Sequence, residues 1–315
     1  MENIMYVLGG LVLLVLGGEF LVRASVGLSF KLSISKMVIG LTVVSFATSA
    51  PELLVSINAA MNDSPAIAIN NVIGSNIANI GLVLGITAII GPLAVNNAFY
   101  KLTWPSLMFF SLLIYLFLWT DTELARWEGI LLVIGLILFL IVLIRSARNN
   151  KEDVDVEDID VLVTTITYGK IFLWLVLGGA ALYYGSEFLV DGAKAVAQNV
   201  GVSEGVISIT MIAIGTSVPE LAASVVAAIK KEKAISLGNL IGSNIFNIAS
   251  VLGITSIIKE IPVLEPQILA RDIFWMLSFA FILLPFARFP KRFGIDRYEG
   301  VILFLAYAFF IYTVF

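Results

Sequence analysis

The sequence predicts an all-α membrane protein whose ten transmembrane helices form two inverted five-helix repeats. Three observations support this fold class: the composition, the number of long apolar stretches, and a motif that occurs twice. Of 315 residues, 59% are hydrophobic and 13% are charged, and the mean hydropathy is +1.01. Because a soluble protein carries about 25% charged residues, this chain is expected to lie largely within a lipid bilayer.

Ten apolar stretches are long enough to cross the roughly 30 Å hydrocarbon core of a membrane. We interpret the first as a retained span, because it lacks the basic region and cleavage site of a signal peptide. The stretches cover residues 4–29, 37–61, 66–92, 102–120, 127–146, 171–193, 204–229, 234–258, 271–287 and 298–315.

The basic residues predict the orientation, since Lys and Arg collect on the cytoplasmic side of a membrane. With the N-terminus outside, fifteen of them fall on the inner side and only four on the outer side. The four outer residues are Arg126, Lys194, Lys259 and Arg271. We therefore expect a multi-pass protein of the cell membrane with both termini outside.

The two halves of the chain repeat each other at an offset of 168 residues without a gap. The segment at 47–52, Ala-Thr-Ser-Ala-Pro-Glu, returns at 215–220 as Gly-Thr-Ser-Val-Pro-Glu. The segment at 71–79 likewise returns at 239–247, with the core Ile-Gly-Ser-Asn-Ile in both copies. A register kept over this length indicates an internal duplication.

Each repeat contains five spans, so the second enters the membrane in the opposite direction. We predict a first repeat at 1–146, a cytoplasmic acidic linker at 147–170 and a second, inverted repeat at 171–315. The linker lacks the glycine and terminal Glu of an EF-hand, which favours a solvated strip over a calcium sensor. Inverted repeats with broken helices at the midplane are typical of secondary transporters.

Glu52 and Glu220 occupy matched positions inside apolar spans, each one residue after a proline. An acidic residue in hydrocarbon is costly and marks a functional site by default. The proline breaks the helix and frees backbone carbonyls, which are tolerated there only if they are buried or line a wet cavity. Carboxylates and carbonyls together predict a cation site. The charge of its two carboxylates can be neutralised by calcium, by several monovalent ions or by protons.

Other oxygen-bearing side chains surround these two glutamates in the sequence. The chain has no Cys and no His, so any bound metal must be held by oxygen, which suits sodium, calcium or magnesium. Two carboxylates with several carbonyls favour the six to eight ligands of calcium over the tight octahedron of magnesium. The candidate ligands from the residues alone are Thr48, Ser49, Thr216 and Ser217, and a second cluster of Ser75, Asn76, Asn79, Ser243, Asn244 and Asn247.

Both repeats resemble the alpha-repeats of the calcium/cation antiporter superfamily, and most of all its prokaryotic sodium/calcium exchanger branch. The resemblance rests on the pattern G-T-S-x-P-E followed by G-N-x-I-G-S-N, and on the five-plus-five layout of the whole chain. It implies four cation sites between spans two, three, seven and eight. The G-N-x-x-E pattern that is usual in the proton/calcium branch is absent.

The resemblance also implies a role for each ligand. Glu52 and Glu220 are expected to hold calcium, helped by the carbonyls of Thr48 and Thr216. The remaining implied ligands serve flanking or central sites: Ser75 with the Ser45 carbonyl for an inner sodium, Ser243 with the Ala213 carbonyl for an outer sodium, Ser49 and Ser217 in support, and Asn79 and Asn247 beside the central site.

Three positions depart from the family pattern. Asn247 stands where an acidic residue is frequent, which leaves two carboxylates in the core and argues against potassium co-transport and a three-sodium stoichiometry. Ala47 and Asn70 stand where glycine is usual. Both changes are expected to affect helix packing.

The leading functional prediction is secondary active exchange of calcium for sodium by alternating access. The alternative is calcium/proton exchange on the same two glutamates, and a passive cation channel is a third interpretation. We expect no enzyme activity, no cofactor and no nucleic-acid partner. The expected partners are the transported ions and the lipid bilayer, and a monomer is sufficient for a site completed within one chain.

Overall fold

The computed structural model describes residues 2–149, 166–199, 215–289 and 294–314. Most of these residues are helical. The first half contains α1 (Glu2–Leu32), α2 (Lys36–Ile39), π1 (Gly40–Val44), α3 (Ser45–Thr48), α4 (Ala50–Met61), α5 (Ala66–Ala78), π2 (Asn79–Leu84), α6 (Gly85–Ile90), β1 (Leu93–Ala94), π3 (Phe99–Thr103), α7 (Trp104–Asp121), β2 (Glu123–Leu124) and α8 (Arg126–Asn149).

The elements of the second half follow in the same order. They are α9 (Tyr168–Asn199), α10 (Val218–Ile229), α11 (Lys233–Phe246), π4 (Asn247–Leu252), α12 (Gly253–Ile258), β3 (Ile261–Pro262), π5 (Ile268–Asp272), α13 (Ile273–Arg288), β4 (Gly294–Ile295) and α14 (Arg297–Val314). The π-helical segment after α5 and the one after α11 lie 168 residues apart, as the sequence repeat does.

Eight helices among the described residues are long and apolar enough to cross a membrane, and the chain is a multi-pass membrane protein. A ninth candidate is the bent pair Lys36–Thr48 and Ala50–Met61, which turns by 41° at Ser49. The predicted span at 204–229 lies partly outside the described residues, and only its second part, α10, is seen. The count of ten spans therefore stays a prediction.

The described residues are mostly helical, as the prediction of an all-α membrane protein requires, and they also include four two-residue strands. Strand β1 pairs antiparallel with β4, and β2 pairs antiparallel with β3. Each pair joins one half of the chain to the other, where short segments between helices satisfy each other's backbone hydrogen bonds.

Two spans form the centre of the molecule. In an 18-residue stretch of the spans Ala66–Ile90 and Lys233–Ile258, 72% and 83% of the residues are buried, whereas the same measure is 22–33% for the other spans. Both carry the Ser and Asn residues of the repeated motif. Their polar side chains are thus shielded from lipid by the surrounding helices.

Helices α1 and α9 pack lengthwise against each other through glycines. A Cβ atom on Gly10 would lie 2.6 Å from the Leu189 nitrogen, and one on Gly17 would lie 2.8 Å from the Leu182 nitrogen. Small residues at such contacts let helix backbones approach closely within a membrane.

Candidate cation-binding site

The two glutamates begin helices at matched breaks. Ser49 has φ −86° and ψ 0°, and Ser217 has φ −90° and ψ 1°; each residue precedes a helix with proline in its first two positions. A proline has no N–H to donate and suits a first helical turn. Glu52 and Glu220 therefore lie in the first turns of α4 and α10, where the helix dipole favours a negative charge.

Glu52 and Glu220 are completely buried, and the hydroxyl of Ser49, three residues before Glu52, lies 3.5 Å from the Glu220 carboxyl. Both oxygens of Glu52 and Oε2 of Glu220 have no hydrogen-bond partner. A buried carboxylate without donors is strongly unfavourable unless a cation or a proton compensates it. The pair therefore has the chemistry of a cation site.

Around the glutamates, hydroxyl groups of one half of the chain contact oxygen atoms of the other half. Ser49 Oγ donates to Glu220 Oε1 at 3.5 Å. The hydroxyls of Thr48 and Ser243 lie 3.2 Å apart, and those of their repeat equivalents Thr216 and Ser75 lie 3.0 Å apart. The sequence predicted all six of these residues as ligands, and the structure joins them in three contacts between the two halves.

Amide side chains form a second layer of contacts between α5–π2 and α11–π4. Asn76 Nδ2 donates to the Asn244 carbonyl at 3.2 Å, and Asn247 Nδ2 donates to Asn76 Oδ1 at 3.2 Å. Asn79 Nδ2 donates to Asn244 Oδ1 at 3.4 Å. The side-chain oxygens of Asn79 and Asn247 remain without a donor, as does the Ser217 hydroxyl. These oxygens are available to a cation.

Of the two remaining predicted ligands, Ser45 and Ala213, the structure describes only Ser45. The Ser45 carbonyl accepts the Ser49 N–H at 2.9 Å, and the Ser45 hydroxyl donates to the carbonyls of Gly40 and Asn239. Ala213 lies outside the described residues. Within the described ranges no group of three or more Asp, Glu, His or Cys residues forms a metal cluster, so two carboxylates are supplemented by neutral oxygens.

Two further glutamates occupy matched positions in the repeats, Glu19 on α1 and Glu187 on α9, and their side chains bond to residues outside the site. Glu19 makes salt bridges with Arg23 at 2.5 Å and Lys230 at 2.6 Å. Glu187 accepts a hydrogen bond from the Tyr183 hydroxyl at 2.9 Å.

Sequence reasoning did not single out two asparagines that buttress the site. Asn71 Nδ2 donates to Ser56 Oγ at 3.4 Å, and Asn239 Nδ2 donates to Ser224 Oγ at 3.1 Å. All four residues belong to the aligned repeat, so their identity in both copies was the available signal. Asn239 also accepts a hydrogen bond from the Thr48 hydroxyl at 3.1 Å.

Comparison with known proteins identifies the family of this chain. The family model described as sodium/calcium exchanger protein matches residues 3–145 and 170–315. The chain belongs to this exchanger family. Members of the family are transporters, so the expectation that the protein is no enzyme is confirmed.

Full-length relatives and a solved structure show the same relationship. CaxA of Alkalimonas amylolytica, assigned as an antiporter, is 41% identical over 98% of this chain and 98% of its own length. The sodium/calcium exchanger MaX1 of Methanosarcina acetivorans is 31% identical over 99% of this chain and 98% of its own length. The structure of the sodium-calcium exchanger NCX_Mj superimposes with a TM-score of 0.83 at 31% identity, covering 98% of both chains.

Proposed function

We propose that the protein exchanges calcium for sodium across the membrane by alternating access. The observation that supports this most directly is the buried pair Glu52 and Glu220, with three carboxyl oxygens that lack donors. One pair of charges cannot be neutralised by calcium and by sodium ions at once. Competition for the pair therefore couples the two fluxes.

The proposed ligands are those that the sequence predicted. Glu52 and Glu220 hold calcium with the carbonyls of Thr48 and Thr216. Sodium sites flank the pair, and their ligands are Ser75 with the Ser45 carbonyl, Ser243 with the Ala213 carbonyl, and Ser49 and Ser217. The donor-free oxygens of Asn79 and Asn247 border the centre.

The proposed architecture follows the repeat. Ten spans form two inverted units, 1–146 and 171–315, joined by the acidic linker 147–170, which lies almost entirely outside the described residues. Both termini face outside. Inversion lets the two units exchange roles, so that the site opens first to one side and then to the other.

Calcium/proton exchange is the second candidate, and Asn247 favours it. Among the described residues, no third acidic group joins Glu52 and Glu220 in a cluster that could hold a metal ion. Two protons can replace one calcium ion on Glu52 and Glu220 without any other acid. Transport would then be electroneutral.

Uptake of radioactive calcium into proteoliposomes separates these functions. An outward sodium gradient is applied in one arm and a pH gradient in the other, with Glu52→Gln and Glu220→Gln as inactive variants. Glu187→Gln is the matched control, because Glu187 is exposed and bonded to Tyr183. Sodium-dependent uptake that both site variants abolish supports sodium/calcium exchange. Uptake driven only by the pH gradient supports the proton-coupled alternative, and flux in neither arm contradicts both.

A further inference from the structure

We infer that Asn239 and Asn71 are positioning residues that clamp Thr48 and Thr216 in turn, one clamp closing as the other opens. The inference rests on the proposed alternating access and adds a specific switch to it. In the structure the Asn239–Thr48 clamp is formed, and its repeat equivalent, Asn71–Thr216, is not.

The formed clamp joins three helical segments. Asn239 on α11 donates from Nδ2 to Ser224 Oγ on α10, and its Oδ1 accepts from Thr48 Oγ1 on α3. The Ser45 hydroxyl donates to the Asn239 backbone carbonyl at 2.9 Å. Asn239, Thr48 and Ser224 are all buried. One amide therefore fixes α3 against both α10 and α11.

The clamp also decides how the Thr48 hydroxyl faces the ion site. The Thr48 hydroxyl has two carbonyl-type acceptors, Asn239 Oδ1 at 3.1 Å and the Ser45 carbonyl at 3.4 Å, and Asn239 is the nearer one. A proton donated to Asn239 leaves the lone pairs of the Thr48 oxygen for other partners. Ser243 Oγ lies 3.2 Å from this hydroxyl. Asn239 thus acts on the site through Thr48 and does not act as a ligand itself.

The same residue types in the other half are bonded differently. Asn71 bonds Ser56 at 3.4 Å, and Thr216 bonds Ser75 at 3.0 Å. No hydrogen bond joins Asn71 to Thr216, although both residues are described. Thr216 is partly exposed, whereas Thr48 is fully buried. Since both copies have identical residues here, the difference reflects the arrangement of the helices.

The formed clamp lies on the proposed inner side. Asn239 follows the start of α11 at Lys233 by less than two turns, and this end of the helix faces inward in the proposed orientation. The same end is tied by two ion pairs, Lys36 to Glu232 at 2.8 Å and Lys230 to Glu19 at 2.6 Å. An ion pair, Lys259 to Asp63, also lies on the proposed outer side, so ion pairs alone do not distinguish the two sides. The formed clamp is what marks the inner side as the closed one.

Labelling of single cysteines tests the exchange of clamps, and the natural chain has no Cys. Ser236→Cys and Ala68→Cys are the reporters, because each lies three residues before a clamp asparagine, on the same helix face. Both positions are fully buried and are repeat equivalents. A membrane-impermeant maleimide is applied to inside-out and right-side-out vesicles, each carrying one reporter.

Asn239→Leu should raise labelling of Ser236→Cys from the inner side and lower labelling of Ala68→Cys from the outer side. Asn71→Leu should shift both reporters in the opposite direction. One buried hydrogen bond corresponds to a change of about three- to tenfold. Thr48→Val removes the same bond from its other end, so it should repeat the effect of Asn239→Leu and add little to it.

The inference is overturned if both asparagine variants shift the reporters in the same direction, or if neither does. If Asn239→Leu does not fold, Thr48→Val against Thr216→Val gives the same opposed comparison. Labelling needs no ion gradient. Opposite shifts without any calcium flux would therefore contradict the proposed ions and leave the clamps in place.

Discussion

The two halves of the site have nearly the same sequence and different surroundings. Around Thr48, Asn239 completes a buried hydrogen-bond network with Ser224. On the spans of Thr48 and Asn239, the backbones of Gly40 and Gly238 are also in contact. Around Thr216, the equivalent amide bonds only Ser56. The freed carbonyl of Gly215 accepts a hydrogen bond from the Ser186 hydroxyl at 2.7 Å, whereas the repeat equivalent of Ser186 is Gly18, which has no hydroxyl. The predicted ligands are the same in both halves, but the hydrogen bonds around them differ. One half of the site can therefore be firmly packed while the other is packed less firmly.

The largest expected effect is on calcium affinity, and it tests whether Glu52 and Glu220 contribute equally to the site. Glu52→Gln and Glu220→Gln should each lower calcium affinity by at least about 100-fold, since losing even an outer-shell partner of a metal ligand costs roughly 10–100-fold. Equilibrium binding of radioactive calcium to the purified protein measures this. A large loss for only one of the two variants would show that the carboxyls do not act as a pair.

The next largest effect is on stability, and it concerns the close backbone contact at Gly238, near the formed clamp. A Cβ on Gly238 would meet the Met37 carbonyl and lie 3.0 Å from the Leu41 nitrogen. Overpacking of this kind costs about 1–3 kcal/mol, so Gly238→Ala should lower the thermal midpoint in detergent. The matched control is Asn70→Ala, because Asn70 is the exposed repeat equivalent, bonded to Glu265 at 3.2 Å. Equal losses of stability would contradict the difference between the halves.

A smaller effect is expected from restoring a third acid. Asn247→Asp places a carboxylate beside Asn76, and should raise the Hill coefficient for sodium by about one, because an added buried charge requires a further cation. Transport measured against sodium concentration reports this number. Asn79→Asp is the repeat-matched variant, and an unchanged coefficient in both variants would exclude this position from sodium coupling.

The smallest effect concerns an ion pair at the proposed outer surface. Lys259 bonds Asp63 and lowers the pKa of this carboxyl from its ordinary value, first through the hydrogen bond and then through charge attraction. A lowered pKa stabilises the folded protein above the ordinary pKa of Asp and loses that contribution as the pH falls through the lowered value. Lys259→Gln should therefore be slightly less stable than the natural protein at neutral pH and equal to it in strong acid.

Thermal midpoints over a pH series measure this difference, and added salt should reduce it because exposed charges are screened. A gap that persists at low pH would show that Lys259 stabilises the protein through contacts other than the one with Asp63.

Some of this organisation was predictable from the sequence. The offset of 168 residues predicted the recurring elements, and the prolines predicted the breaks before Glu52 and Glu220. Both predictions use local rules: a repeat folds alike twice, and proline cannot donate within a helix. The residues gathered around the glutamates also followed from the motifs.

The differences between the halves were not predictable in this way. Asn71 and Asn239 are identical in the aligned sequences, so no local signal distinguishes the amide that bonds a threonine from the one that does not. The strand pairs β1–β4 and β2–β3 depend on distant segments meeting after the helices have packed. The indole of Trp104 donates to the Ala280 carbonyl at 2.9 Å, a contact between residues 176 positions apart. Each of these features depends on tertiary packing.

Competition between sodium and calcium for one site tests the central claim most directly. Radioactive calcium binding to the purified protein is measured over a series of fixed sodium concentrations, with choline replacing sodium as the control. We predict that sodium raises the apparent Kd for calcium and leaves the number of bound calcium ions unchanged, because both ions neutralise Glu52 and Glu220. Calcium binding that is indifferent to sodium would contradict a shared carboxylate pair.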